Sequence, residues 1–266
     1  MAATRENGAG GAAGGGGAVK SADRVLTILD LLAERDALTF SEIVRELSLP
    51  KSSVHNLLAT MIDRDYVEYD PGAKTYGLGI RVWQIGRARR DVEHLRTVLK
   101  PLMDQLREQT EETVQLARLD GADAIYLEIS ESPHPMKLSS TPGVRLPAHA
   151  SGIGKVLLAA LDPLDARTRL ESAPLQAFTS HTLTDVDEIE RELERIRQRG
   201  YGTDDEEFAI GCRCVAMPVR DGSGQVVAAM SVSTPTPRWS REFAASARRA
   251  LADATAAAHE LLARRG

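Results

Sequence analysis

Two short stretches with helical apolar spacing meet at Ser48-Leu49-Pro50, and the second runs straight into an alternating stretch closed by a Pro/Gly turn. This juxtaposition restricts the N-terminal part of the chain more than any compositional figure. The first stretch carries Ile43, Val44 and Leu47 behind Thr39, and Glu42 three residues after Thr39 has the spacing of a capping box. The second runs from about Lys51 to Arg64, with Val54, Leu57, Leu58, Met61 and Ile62 at i, i+3, i+4, i+7 and i+8. Pro50 is placed to start it. Tyr66-Val67-Glu68-Tyr69 then alternates, Asp70-Pro71-Gly72-Ala73 turns, and Lys74 to Leu78 returns. An earlier helix is predicted from Val25, Leu26, Ile28, Leu29 and Leu32, and a later one from Ile80, Trp83 and Ile85.

Two short helices joined by a three-residue turn are the helix-turn-helix layout, in which the second helix enters the major groove. The face of helix 51–64 opposite the apolar one carries Ser52, His55, Asn56, Ala59 and Asp63. Hydroxyls and an amide there suit base edges, and Asn pairs bidentately with adenine. Lys51 at the helix start would meet a phosphate together with free backbone N–H groups. The hairpin, with Lys74 at its tip, would lie as a wing against the backbone. The residues expected at DNA are Thr39, Ser41, Lys51, Ser52, Ser53, His55, Asn56 and Lys74. An ordinary helical bundle with a polar outer face is the plainer alternative for any one of these helices; the ordered set of helix, turn, helix and hairpin argues against it.

Charge separates this module from the rest. Lys20 to Arg90 holds 11 Lys/Arg against 10 Asp/Glu, near +1, and the chain beyond the N-terminal tail and this module holds 21 against 27, near −6. The overall charge of −5 excludes binding of nucleic acid by bulk charge. A module so weakly basic needs to be doubled, so a dimer is expected. Residues 1–18, with seven glycines among alanines, read as a flexible tail. No apolar run is long enough to span a membrane, and Cys212 and Cys214 form no disulfide framework, so a reducing cytoplasm is the expected setting.

The second module begins near Val92 with a helix to about Glu111. Strands are predicted at Thr113–Leu119, Ala124–Ser130, Met136–Ser140, Arg213–Val219 and Val226–Ser233. Helices are predicted from Ser151, over about Asp185–Arg199, and from about Ser240. The fold class is α+β with a largely antiparallel sheet. The domain reading is tail 1–18, winged helix-turn-helix 19–79, linker helix 80–91 and a second domain over 92–266.

The residues also resemble the IclR family of bacterial transcription regulators. The resemblance rests on four blocks: Lys51-Ser52-Ser53-Val54-His55 with Tyr76-Gly77-Leu78-Gly79; Leu146-Pro147-Ala148-His149-Ala150-Ser151-Gly152-Ile153-Gly154-Lys155; Gly200-Tyr201 through Asp204, Glu206-Glu207, Gly211 and Cys214-Val215-Ala216; and Ala228-Ala229-Met230-Ser231-Val232-Ser233. It implies a winged helix-turn-helix, a linker helix and a GAF/PAS-like effector-binding domain. It also implies a homodimer or tetramer, a palindromic operator in double-stranded DNA, and control by a small metabolite, often an organic acid. Relatives often place Arg after the recognition-helix His, where this chain has Asn56, so its operator is expected to differ.

By the same resemblance the effector pocket includes Leu146, Gly152, Ile153, Asp204, Cys214, Ser231 and Ser233. Read from the residues alone, Ser151-Gly152-Ile153-Gly154 opens a helix whose bare N–H groups and dipole favour an anion, so a carboxylate effector is expected. Ser231 and Ser233, two apart on a strand, face one side. Each has a plainer reading: a solvated sheet face for the serines, a small core residue for Cys214, a turn cap for Asp204, a buried structural histidine for His149. Gly152-Ile153-Gly154-Lys155 mimics part of a P-loop, but His149 stands where its first glycine belongs and Val156 where Ser/Thr is needed. Neither a metal site nor a cofactor is expected. The rival enzyme reading would use Cys212 or Cys214 as nucleophile with His149 or His181 as base, without any motif to support it. A third reading is an architectural DNA binder without a ligand.

Overall fold

The first unit is built from the amphipathic helices and the hairpin that the sequence spells out. A computed structural model describes residues 19–87 and 90–264, and the tail expected at 1–18 lies outside them. The chain divides between Arg90 and Asp91 into two compact units. In the first, α1 (Lys20–Arg35), α2 (Phe40–Leu47) and α3 (Lys51–Asp63) surround a core of Ile28, Leu32, Leu38, Ile43, Val54, Leu58, Met61 and Val67. The capping box forms as spaced: Glu42 N–H points to Thr39 Oγ1 at 3.4 Å, and the Glu42 carboxylate accepts from Thr39 N–H at 2.8 Å. Ser48 closes α2 in the left-handed region, at φ 52°. The hairpin of β2 (Val67–Asp70) and β3 (Thr75–Leu78) is joined on its β3 side by β1 (Ala37–Thr39), a strand the periodicity did not show. α4 (Ile80–Arg87) follows.

The second unit is a six-stranded, wholly antiparallel sheet between two helical layers. It opens with α5 (Arg90–Thr110), β4 (Thr113–Asp120), β5 (Asp123–Ser130) and β6 (Arg145–Pro147). Then come α6 (Gly152–Ala159), α7 (Pro163–Glu171), α8 (Val186–Arg199), β7 (Gly202–Asp205), β8 (Cys212–Arg220), β9 (Val226–Pro235) and α9 (Arg241–Ala263). The sheet order is β6-β5-β4-β9-β8-β7. Successive residues of a strand face opposite sides, so each central strand divides between two cores. Val114, Leu116, Val215, Met230 and Val232 pack with α5 and α9. Ala117, Ala216 and Ala229 pack with α6, α7 and α8 through Ile153, Val156, Leu158, Ile189 and Leu193.

The strand expected at Met136–Ser140 does not form; the edge position is taken by β6 instead. Pro133 and Pro135 remove two ladder donors and Pro142-Gly143 turns the chain, so the segment lacks what a strand needs. Leu26 leaves the predicted apolar stripe and is largely exposed.

Every residue of α6 is buried. The alanines beneath it allow close seating, and its glycines are demanded by that seating. A Cβ on Gly154 would overlap the backbone of Ala148, and one on Gly152 would stand 2.6 Å from Cys214 Sγ. The one charge on the helix, Lys155, is ion-paired to both oxygens of the buried Glu207 at 2.5 and 2.6 Å. Gly154→Ala is therefore expected to lower the stability of the second unit by about 1–3 kcal/mol, read as a shift in its urea midpoint. Gly86→Ala, in α4 of the first unit where an added Cβ meets nothing, should leave the second unit's midpoint unmoved.

Candidate functional site

The polar face predicted for the second helix of the helix-turn-helix is the face left open. Lys51, Ser52, His55, Asn56, Ala59 and Asp63 are exposed, while Val54, Leu58 and Met61 are buried. α3 starts at Pro50 with no side-chain cap, which leaves first-turn N–H groups for an outside acceptor. Among the described residues, Lys51 and Lys74 have no carboxylate partner. Lys74 sits exposed at φ 57° where the hairpin turns, a turn held by Asp70 Oδ1 accepting from the N–H groups of Gly72 and Ala73 at 2.7 and 3.1 Å. Tyr69 and Tyr76 stack across that hairpin, their centroids 4.9 Å apart. Ser41 is exposed and Ser53 half-buried. Thr39 differs from the rest, because its hydroxyl already donates to Glu42 at 2.7 Å in the capping box.

In the second unit the sheet register brings together the residues expected in the pocket. Asp204 on β7 stands opposite Cys214 on β8, Cys214 opposite Ser233 on β9, and Ser233 opposite Thr113 on β4. One step along, Ala216, Ser231 and Gln115 form the next row. Both rows face α6. Ser231 and Ser233 each donate to Gln115 Oε1, at 2.9 and 3.0 Å, and all three are buried. Gln115 was missed in the sequence; its signal was a lone amide at an inward position of the strand Thr113–Leu119. Gly152 lies against Cys214 and the backbone of Asp204. Ile153 is buried in the core on that side of the sheet, and Leu146 joins the same core from β6 at the far edge.

The start of α6 is less bare than its sequence suggests. Ser151 Oγ accepts from Gly154 N–H at 3.2 Å, and the Gly152 N–H is directed at the Cys214 thiol. Ile153 is left with the free first-turn donor. Asp204 Oδ1 accepts from Glu207 N–H at 2.7 Å, and this turn delivers Glu207 to Lys155. Burial is the main force on Asp204, and with Glu207 nearby it lifts the carboxyl to about 6, against the hydrogen bonds it accepts. Burial likewise pushes the Cys212 thiol up to about 12 and raises that of Cys214, so both are poor nucleophiles at neutral pH. His149 is buried against Phe178 with Nε2 on the Gln176 carbonyl at 3.1 Å, and His181 Nδ1 engages the Asp205 carbonyl at 2.9 Å. These placements tie both imidazoles to backbone and give the cysteine–histidine reading no support. Among the described residues, no three His, Cys, Asp or Glu side chains cluster as metal ligands would.

Comparison with known proteins decides the family. Residues 21–71 match the IclR helix-turn-helix domain, and residues 89–260 match the C-terminal domain of the bacterial transcriptional regulator IclR. The chain belongs to the IclR family. It is a DNA-binding transcriptional regulator, like its relatives. It is 38% identical over 224 residues to the transcriptional regulator BhcR of Paracoccus denitrificans, covering 84% of this chain and 80% of that one. It is 33% identical over 225 residues to the transcriptional repressor IclR of Escherichia coli, covering 84% and 82%. Among solved structures, an IclR homologue from Microbacterium hydrocarbonoxydans complexed with 4-hydroxybenzoate superposes with a TM-score of 0.81 at 27% identity, covering 91% of this chain and 98% of that one. No described helix of the IclR-family chain is long and apolar enough to cross a membrane.

The raised carboxyl of Asp204 has a thermodynamic signature. Its folded pKa, about 6, lies above its ordinary value of 3.8, so the folded state holds the proton more tightly. The fold is then least burdened below pH 4 and loses stability as pH rises through 6. Asp204→Asn, which keeps an acceptor oxygen for Glu207 N–H, removes that loss. Its unfolding free energy relative to the parent chain, from urea titrations, should climb between pH 4 and 7.5 by up to about 2–3 kcal/mol.

Proposed function

We propose that this regulator binds a palindromic operator as a homodimer or tetramer through α3, and that a small carboxylate held between α6 and the sheet alters its operator affinity. In this reading residues 19–79 read the DNA, 80–91 link, and 92–266 sense the effector in the cytoplasm. The observation that carries it is the open face of α3: hydroxyls, an imidazole and an amide arranged opposite the buried Val54, Leu58 and Met61, with a lysine at its start that has no carboxylate partner among the described residues. Asn56 reads an adenine, Ser52 and His55 approach neighbouring base edges, and Lys51, Ser53, Ser41 and Lys74 contact phosphates. Thr39 serves chiefly by capping α2.

The partner in the oligomer is a second copy. Leu26 on α1 and Ile80, Trp83 and Ile85 on α4 are large apolar side chains left 46–61% exposed in the first unit. A surface of this kind suits a second copy, and doubling the module supplies the phosphate contacts that a charge near +1 lacks.

The effector reading is supported by the polar rows beneath α6, and by a relative crystallised with the aromatic acid 4-hydroxybenzoate. Leu146 and Ile153 offer apolar contact to the ligand body. The Ile153 N–H offers a donor to a carboxylate, the serine hydroxyls become donors to it on turning away from Gln115, and Asp204 accepts from a ligand hydroxyl. Binding that favours one arrangement of the oligomer changes operator affinity, and DNA must change effector affinity by the same factor.

Sequencing host genomic fragments captured by the purified chain tests this reading. A few upstream regions sharing a palindrome should be enriched. Asn56→Ala should weaken the captured operator by about 1–3 kcal/mol and relax preference at one base position. Lys51→Ala should instead lower affinity for all sequences and reduce the salt slope by about 1. Equal capture by the Ser52→Ala/Asn56→Ala chain would overturn the assignment of α3.

A further inference from the structure

The side of the sheet facing away from the proposed effector site carries an open groove. α9 presents Arg241, Ala244, Ala245 and Arg248 at i, i+3, i+4 and i+7, one face of the helix. Between this face and the outer strand β7 runs a groove of about 330 Å³, at the small end of ligand-sized cavities. Val215 forms its floor with the two alanines, and the rings of Tyr201 and Trp239 stand at its sides. Thr203 and Val215 alternate along their strands with Asp204 and Cys214, so the sheet itself separates this groove from the polar rows under α6.

Charge in the groove runs against the rest of the unit. The second unit carries surplus acid, yet among the described residues neither Arg241 nor Arg248 has a carboxylate partner. Arg248 is nevertheless held in place. Its Nη1 donates to Tyr201 Oη at 3.0 Å, and its guanidinium lies 5.0 Å from the Tyr201 ring centroid. Arg199 lies 4.9 Å from the same centroid and donates from Nε to the Tyr201 carbonyl at 2.7 Å, which fixes the tyrosine in turn. A guanidinium oriented this way keeps further donors for a carboxylate. Seven residues of helix separate the two arginines by about 10 Å along the axis.

We propose that this groove is a second small-molecule site, for an elongated organic dianion whose apolar body lies over Val215, Ala244 and Ala245 and whose carboxylates meet Arg241 and Arg248. The apolar floor selects for a hydrocarbon or aromatic body, and the spaced cations select for charge at both ends. An α,ω-dicarboxylate with seven methylenes, azelate, has the span.

Trp239 reports on the groove, and the chain's one other tryptophan, Trp83, is removed by Trp83→Phe. Azelate titrated into this variant should change Trp239 emission along a saturating curve. The monocarboxylate nonanoate should bind about fivefold more weakly, as should azelate to Arg241→Ala or Arg248→Ala. Ser233→Ala, on the other side of the sheet, should leave the curve unmoved. The Trp239 indole N–H resonance of the unsubstituted chain gives the same readout should Trp83→Phe disturb folding. A response that fails to saturate, or that is equal in the Arg241→Ala/Arg248→Ala chain, overturns the proposal. So does Trp239 emission that shifts with protein concentration in the absence of any acid, since a second copy would then fill the groove.

Discussion

The close seating of α6 on the sheet governs the second unit. A helix buried along its whole length needs a surface of small side chains beneath it, and Ala117, Ala216 and Ala229 supply one. It also needs its own approach points bare, which is why Gly152 and Gly154 cannot carry a Cβ. The consequence is electrostatic as well as steric. Lys155 has no route to solvent and is answered by Glu207, which the turn after Asp204 delivers. Removing one partner of such a pair leaves an uncompensated buried charge, so the helix, the ion pair and the Asp204 turn stand or fall together.

Much of this was legible in the sequence, and the strands that were not depend on pairing with distant segments. The helices of the first unit declared themselves through apolar spacing, the Thr39–Glu42 box and the Ser48-Leu49-Pro50 break, all local signals. β1 and β7 did not. Gly202-Thr203-Asp204-Asp205 has no strand propensity to speak of, and becomes a strand only by pairing with β8. α7 does carry a local signal, since Asp162-Pro163 marks its start with a cap and a proline in the first turn. Met136–Ser140 forms no strand because Pro133 and Pro135 before it and Pro142-Gly143 after it disfavour a ladder there.

The candidate effector site shows the same division. That Ser231 and Ser233 share a side followed from their spacing of two. That Gln115 ties them together, across more than a hundred residues of chain, depended on the β4–β9 register. The reading of the α6 start as a run of bare N–H groups was only partly met. Ser151 and Cys214 occupy two of the donors, and the glycines answer chiefly to packing.

β9 lies at the centre of both cores, and its alternation has a consequence for how such a regulator diverges. Met230 and Val232 hold the α9 side, while Ala229, Ser231 and Ser233 line the α6 side. The two sets are interleaved in sequence yet insulated in space by the sheet. In the proposed reading, substitution at Ser231 or Ser233 redraws the chemistry offered to a ligand without opening a hole under α9. On that reading a gene copy can explore new ligands through single changes on one strand while the α9 side of the core stays in the keeping of the intervening residues.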